Sequence, residues 1–231
     1  MFIKNEPAMK IRDCLVIADL HLGITRELWE YGFSMPSQVE SLAKRINDLL
    51  AKTGAKCLII LGDVKHKVPG VSFQEMREIP EFLSLINAKT TIIKGNHDTF
   101  LEKIADVKIK KSLVIENCFL THGHKNVKTN KKIIVIGHNH PQIKFKDKMG
   151  ATYVQPVWVH GRSELTTEGR RFGYGKKKII IMPAFNELAG GHAINEDFSV
   201  MGPIARKMDI KNAKAFLLDG TDIGRIKDLM V

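Results

Sequence analysis

The sequence predicts an α/β protein in which two β-sheets pack face to face and helices cover their outer faces. Two observations support this fold class. Strand-like and helix-like segments alternate over the first hundred residues, whereas short strand-like runs dominate the rest and helices are scarce there. With 231 residues, of which 44% are hydrophobic, the chain can bury a substantial core. We expect a single domain over 1–231, with a motif core at 13–140 and a β-rich part with a basic loop at 141–231.

The first half is expected to contain two helices between three strands. Apolar residues recur at helical spacing over residues 36–52. Ser72 and Glu75 form a capping-box pattern that opens a second helix reaching about Ile86. Pro80 inside this helix predicts a kink or a break. The three strands are expected at 13–18, 57–61 and 90–94.

The second half is expected to consist mainly of short strands. Its apolar runs are rich in branched residues and are too short for helices of ordinary length. The strands are expected at 113–116, 119–121, 133–136, 143–145, 153–159, 178–182 and 215–218.

The charge balance points to polyanionic partners. A formal net charge of +11 favours nucleic acid as a partner. A lysine-rich surface is also typical of proteins from heat-adapted organisms, so the charge alone does not decide between these explanations.

The cysteines and the N-terminal residues indicate a cytoplasmic location. Cys14, Cys57 and Cys118 are odd in number and widely spaced, so we expect buried reduced thiols rather than disulfides or a zinc site. Residues 1–13 contain no secretory apolar segment, and no apolar run is long enough to cross a bilayer. We therefore expect no membrane partner.

Polar residues follow five strands, at the point where each strand ends. Each motif alone is weak, because Gly-Asp commonly forms only a turn and Asn or Asp residues in loops often bond their own backbone. In α/β sheets, however, ligands bind beyond the carboxyl ends of strands, so together these residues predict one metal site. The motifs are Asp19-Leu20-His21, Gly62-Asp63, Gly95-Asn96-His97-Asp98, His122-Gly123-His124 and Gly137-His138-Asn139-His140.

In this order the motifs resemble the signature of the calcineurin-like metallophosphoesterases. The match runs from Asp19 to His140 with the spacing pattern of the family. The resemblance implies a two-sheet β-sandwich flanked by helices, in a four-layer αββα arrangement. Residues 182–191 are similar to an archaeal and bacterial subgroup related to the catalytic subunits of DNA-repair nucleases. Some bacterial members of this subgroup are associated with repair ligases and helicases, which implies DNA-repair proteins as partners.

The resemblance also implies a role for each motif residue in a site with two divalent ions. Asp63 would bridge the ions, His97 would protonate the leaving oxygen, and Asp98 would orient His97. The attacking group would be a hydroxide that bridges the two metals. The ligands of the first metal would be Asp19, His21 and His140, and those of the second Asn96, His122 and His138.

The donor chemistry agrees with this assignment. Imidazoles combined with carboxylate and amide oxygens suit Mn, Fe, Zn or Ni rather than Ca or Mg alone, and Mn is the metal that we expect first. Metal binding lowers the pKa of a water from ~15.7 to about 7, which makes hydroxide available at neutral pH.

Departures from the family patterns narrow the substrate. Gly62-Asp63 is followed by Val64-Lys65-His66, whereas the protein phosphatases of this superfamily have an acidic residue and an arginine there, so a Ser/Thr phosphatase is not expected. Lys65 and His66 either touch substrate or only support the site. Residues 125–132 and 161–178 are rich in Lys and Arg, and Phe172 and Tyr174 lie in the second stretch, as suits a nucleic-acid groove, although a solvated loop has the same composition. The candidate substrate-binding residues are His66, His124, Lys125, Arg170 and Arg171.

Three functions fit these residues. The leading one is hydrolysis of phosphodiester bonds in DNA or RNA. The second is hydrolysis of small phosphodiesters or nucleotides. The third is an inactive interaction scaffold, which would require lost ligands, whereas every ligand position is filled here.

Overall fold

A computed structural model describes residues 1–163 and 177–230. The first sheet has five strands in the order β1 to β5, and all neighbours are parallel except β1 and β2. Its strands are β1 (Met9–Ile11), β2 (Cys14–Ile17), β3 (Cys57–Ile60), β4 (Lys89–Ile93) and β5 (Lys108–Lys110). The helices between them are α1 (Ile24–Glu30), α2 (Val39–Thr53) and α3 (Phe73–Leu85).

Within the described ranges, the second sheet has nine strands, and its central part runs in the order β9, β10, β11, β8, β7, β6. β8 is parallel to both of its neighbours, β7 and β11. The strands are β6 (Leu113–Ile115), β7 (Cys118–Leu120), β8 (Ile133–Ile136), β9 (Pro141–Lys146), β10 (Thr152–Arg162), β11 (Lys178–Ile181), β12 (His192–Ala193), β13 (Lys214–Leu217) and β14 (Asp222–Arg225). Two short helices, α4 (Ile194–Asp197) and α5 (Gly202–Ala205), precede β13.

Three apolar clusters show how these elements form layers. Between the sheets, Val16 and Ile59 of the first sheet belong to the same buried cluster as Trp158 and Ile180 of the second. A second cluster joins the outer face of the first sheet to α2 and α3, and a third joins the outer face of the second sheet to α4 and α5. The protein therefore has the predicted αββα arrangement, in which helices pack on the outer face of each sheet.

The helices α2 and α3 begin close to where the sequence predicts them, whereas α1 was not predicted. Ser72 accepts a hydrogen bond from the backbone N–H of Glu75, and the Glu75 carboxylate accepts one from the backbone N–H of Ser72, so the capping box is confirmed. The helix α3 runs through Pro80 without a break. Ile79 and Phe82 are fully buried on either side of Pro80, and their packing holds the adjoining turns against the sheet.

The prediction of three reduced cysteines is wrong for one pair. Cys14 and Cys57 form a disulfide, and Cys118 is free as expected but only partly buried. Cys14 and Cys57 are the first residues of two adjacent parallel strands and are register partners, with their Cα atoms 4.6 Å apart. This separation lies within the range that a disulfide spans.

Candidate metal centre

The predicted ligands come together where the strands of both sheets end. Asp19 and His21 follow β2, Asp63 follows β3 and Asn96 follows β4, all in the first sheet. The second sheet supplies His122 after β7, and His138 and His140 after β8. The face-to-face packing of the sheets thus brings segments more than a hundred residues apart into contact.

One cluster consists of Asp19, His21 and His140, whose ligand atoms all lie within 4.8 Å of one another. Nε2 of His140 lies 3.5 Å from Oδ1 of Asp19 and 3.4 Å from Nε2 of His21. A carboxylate and two imidazoles at this spacing fit a divalent transition-metal ion.

A second cluster consists of Asp63, His122 and His138, again with ligand atoms within 4.8 Å of one another. Nε2 of His122 lies 3.2 Å from Oδ2 of Asp63 and 3.0 Å from Oδ1 of Asn96. Nδ1 of His122 donates to the backbone carbonyl of Leu61 at 2.7 Å, which turns Nε2 toward Asp63 and Asn96. The donor set thus has the composition expected of a second site of the same type.

The carboxylate of Asp63 lies between the two clusters. Its Oδ2 atom is 3.2 Å from Nε2 of His122 in the second cluster and 3.9 Å from Nε2 of His21 in the first. Oδ1 of Asp63 accepts a hydrogen bond from the backbone N–H of His97 at 2.9 Å, which fixes the orientation of the carboxylate.

The backbone around the site adopts conformations that are rare for residues with a side chain. Five of the candidate ligands have a positive φ, between 40° and 70°. Each such residue costs of order 1–3 kcal/mol, which surrounding contacts must offset, and strain of this kind is concentrated at functional sites. These five residues are Asp19, His21, Asp63, His138 and His140.

Glycines in the motifs allow the ligands to approach each other. A Cβ atom on Gly95 would stand 2.1 Å from Oδ1 of Asp63, which is far inside van der Waals contact. Gly62 has a φ of +84°, and a Cβ atom there would lie 2.5 Å from Nδ1 of His122. Any larger residue at either position would displace a candidate ligand.

Burial and neighbouring charges leave His21 and His138 neutral at pH 7, whereas His122 is charged and must lose a proton to bind a metal ion. Burial opposes the charged form of Asp63, but the hydrogen bond and charge of His122 outweigh it and hold the pKa of Asp63 below its usual range. Burial also opposes a charged His122, yet its bond to Asp63 and the charge of Asp19 raise its pKa to about 9. Burial lowers the pKa of His21 to about 3 and that of His138 to about 4, so both imidazoles are neutral at pH 7.

His97 lies beside the first cluster, with its ring centroid 4.9 Å from that of His21. Its Nδ1 atom donates to the backbone carbonyl of His66 at 2.5 Å. The other ring nitrogen, Nε2, is therefore the one available for proton transfer.

The expectation that Asp98 orients His97 is corrected by the structure. The carboxylate of Asp98 is buried and accepts four backbone hydrogen bonds, from the N–H groups of Asp63, Val64, Lys65 and Gly95, at 2.7–3.3 Å. Asp98 thus holds the loop after β3 against the loop after β4, and the His66 carbonyl is the group that orients His97.

His66 supports the first cluster. Its Nδ1 atom lies 3.3 Å from Nδ1 of His21, and its Nε2 atom lies 2.5 Å from a carboxylate oxygen of Glu27. A histidine that binds a metal through one ring nitrogen commonly forms a hydrogen bond through the other, which fixes the tautomer and the orientation of the ring. The sequence did not reveal Glu27, because no motif connects it with His66.

The remaining substrate-binding candidates lie in different places. The ring centroid of His124 is 5.3 Å from that of His122, and its Nδ1 atom is buried without a hydrogen-bond partner in the described chain. Lys125 is exposed next to it. Arg170 and Arg171 lie outside the described residues.

No helix within residues 1–163 and 177–230 has both the length and the apolar character that crossing a bilayer would require.

Solved structures that resemble this chain include a nuclease and a phosphoesterase. Nuclease MPE of Pseudomonas putida superposes with a TM-score of 0.55 and 20% identity, over 90% of this chain and 86% of that one. The phosphoesterase YfcE of E. coli gives a TM-score of 0.42 and 16% identity, over 92% of this chain and 97% of that one. No curated protein matches the chain significantly. Residues 13–184 match the family model described as calcineurin-like phosphoesterase, and the chain therefore belongs to this family of metal-dependent hydrolases.

Proposed function

We propose that this protein is a phosphodiesterase that uses two divalent metal ions and acts on nucleic acid. The observation that carries the proposal is the position of Asp63, whose carboxylate faces His122 at 3.2 Å and His21 at 3.9 Å. One carboxylate between two ligand clusters is what a pair of ions about 3.5–4 Å apart requires.

The residues divide into two sets of ligands and a proton donor. When bound, the two ions would polarise the phosphate and lower the pKa of a coordinated water toward 7. His97 would donate the proton from Nε2 to the leaving oxygen, while the His66 carbonyl holds Nδ1. The ligands of one ion would be Asp19, His21 and His140, and those of the other would be Asn96, His122 and His138. Asp63 would bind both ions.

Three observations support nucleic acid as the substrate. The chain carries a net charge of +11, and exposed lysines, among them Lys125, Lys128 and Lys132, follow the His122 motif. A nuclease of Pseudomonas putida shares the fold.

We further propose that residues 1–231 form one domain, because the two sheets share a buried cluster. Manganese as the metal, a cytoplasmic location and DNA-repair proteins as partners stay predictions.

A metal-reconstitution panel tests the proposal. The metal-free protein is assayed on bis-p-nitrophenyl phosphate, p-nitrophenyl phosphate, and single- and double-stranded oligonucleotides, each with Mn, Ni, Zn or Mg. We expect diester hydrolysis that Asp63→Asn abolishes and the exposed control Asp147→Asn leaves unchanged. Rates on oligonucleotides should fall steeply with salt, whereas a shallow dependence would favour a small diester as the substrate. Hydrolysis of no ester with any metal would contradict the proposal.

A second experiment tests the role of His97. A general acid contributes about 10²–10⁴-fold, and it matters most when the leaving group is a poor one. His97→Ala should therefore bind metal like the native protein, and should lose more rate on a dinucleotide than on a nitrophenyl ester. An equal loss on both substrates would remove His97 from the acid role.

A further inference from the structure

A cavity of about 540 Å³ opens beside His97, and its volume lies within the range of pockets that hold small organic ligands. His66 and His97 line it together with Arg26, Tyr31 and Lys67. The cavity thus joins the proposed proton donor to the end of α1.

The last turn of α1 and the residues that follow it expose an unusual amount of apolar surface. Trp29 is 63% exposed, Tyr31 73%, Phe33 64% and Met35 40%. We call residues 29–35 the aromatic segment. Exposed large side chains so close together in sequence are typical of an interaction site, because a folded chain otherwise tends to bury rings of this size.

Basic groups accompany these rings. The guanidinium of Arg26 lies 6.0 Å from the ring centroid of Trp29, and Lys67 is exposed at the same cavity. Glu27 and Glu30 also line the cavity. Glu27 contacts His66, and Glu30 pairs with Arg26 at 3.3 Å, so a phosphate that binds Arg26 must replace the exposed carboxylate of Glu30. Exposed rings interleaved with basic groups are the arrangement that binds single-stranded nucleic acid, in which bases stack and phosphates meet cations.

We propose that the cavity and the aromatic segment bind the leaving-group side of a single-stranded nucleic acid. This inference rests on the proposed function. The leaving oxygen belongs to the nucleotide next to the scissile phosphate, and the group that would protonate it, His97, is in the cavity wall. That nucleotide therefore enters the cavity, and following bases stack on Tyr31, Trp29 and Phe33. A duplex offers no free base faces for such stacking.

Tryptophan fluorescence tests this directly. The chain has two tryptophans, and only Trp29 is exposed, since Trp158 is 1% exposed in the core. Oligothymidylate is titrated into the 231-residue chain in EDTA, so that neither hydrolysis nor metal enters the measurement. We expect oligothymidylate to quench the fluorescence of the native protein, and we expect Trp29→Phe to remove this quenching. Tyr31→Ala should raise Kd roughly tenfold. The matched control is Tyr153→Ala, because Tyr153 is 54% exposed but stacks on Phe145 in the hairpin of β9 and β10.

The outcomes separate this inference from the proposed function. Metal-dependent hydrolysis of bis-p-nitrophenyl phosphate without quenching by oligothymidylate would leave the function standing and overturn the inference. Equal affinity for a duplex of the same length would also overturn it. The alternative occupant of this surface is a second copy of the chain. To test it, light scattering compares the native protein with a variant in which Trp29, Tyr31 and Phe33 are replaced by Ala. A dimer that becomes a monomer in this variant, without nucleic-acid binding, would assign the surface to a second copy of the chain and overturn the inference.

Discussion

Replacing Asp98 by asparagine distinguishes two roles of its carboxylate. In one it holds the loops after β3 and β4 together, and in the other it acts on catalysis through His97. Oδ1 accepts from the N–H groups of Val64 and Lys65 at 2.8 and 3.3 Å, and Oδ2 accepts from those of Asp63 and Gly95 at 2.9 and 2.7 Å. Asparagine has nearly the same shape, but only one of its two terminal atoms can accept a hydrogen bond.

The cost of Asp98→Asn follows from this count. The new amide NH₂ would face two backbone N–H groups, which would then lack an acceptor in the buried interior. An unsatisfied buried donor costs about 1–3 kcal/mol, so the free energy of unfolding should fall by about 2–6 kcal/mol. This is a large part of the roughly 5–15 kcal/mol that stabilises a typical domain.

Urea unfolding in EDTA, followed by circular dichroism, measures the effect. Asp147→Asn is the matched control, because a single oxygen of the exposed Asp147 accepts from both Met149 and Ala151, and asparagine keeps that acceptor. This control should change stability by less than about 0.5 kcal/mol. If Asp98→Asn instead unfolded like the native protein and only lowered kcat, Asp98 would act through His97 and the reasoning from the structure would be refuted.

Three further perturbations have defined outcomes. Gly95→Ala places a Cβ atom 2.1 Å from Oδ1 of Asp63 and should weaken metal binding by about 10–100-fold in calorimetry, so a native affinity would contradict the close approach. Cys14→Ser with Cys57→Ser should lower the unfolding free energy by about 4 kcal/mol, because the disulfide joins residues 43 positions apart. Thiol titration of the denatured, unreduced protein should find one thiol, and finding three would contradict the disulfide. Burial lowers the pKa of His160 to about 4, below the ~6.5 of the unfolded chain. As pH falls from ~6.5 to ~4 the unfolded chain therefore binds a proton that the folded protein does not, and the free energy of unfolding falls. His160→Phe should reduce the slope of unfolding free energy against pH in that window by up to about 1.4 kcal/mol per pH unit, and an unchanged slope would argue against the shifted pKa.

The parts of the fold that the sequence predicted are those with a strong local pattern. The helix α2 has a regular apolar face, and the central strands are short runs of branched residues. The helix α1 was not predicted, because only Ile24 and Thr25 are buried in it and no apolar period results. The strand β5 was also missed, since lysines occupy both of its ends.

The candidate site was also predictable only in part. The ligands follow strand ends in short motifs, so their convergence could be expected from the chain alone. The contacts of Asp98 could not, because its partners include the loop after β3, which is over thirty residues away in sequence. The disulfide of Cys14 and Cys57 likewise depends on the register of two strands, which apolar patterning does not specify in strands buried on both faces.

Each ligand cluster draws on both sheets, and this has a consequence for stability. Asp19 and His21 belong to the first sheet and His140 to the second, while Asp63 faces His122 and His138 across the same boundary. An ion in either cluster would therefore oppose separation of the sandwich halves, so that part of its binding energy becomes cohesion between them. Chelation would then loosen the contact between the sheets at the edge that carries the candidate ligands, and resistance to heat would depend on metal supply as well as on the apolar interior.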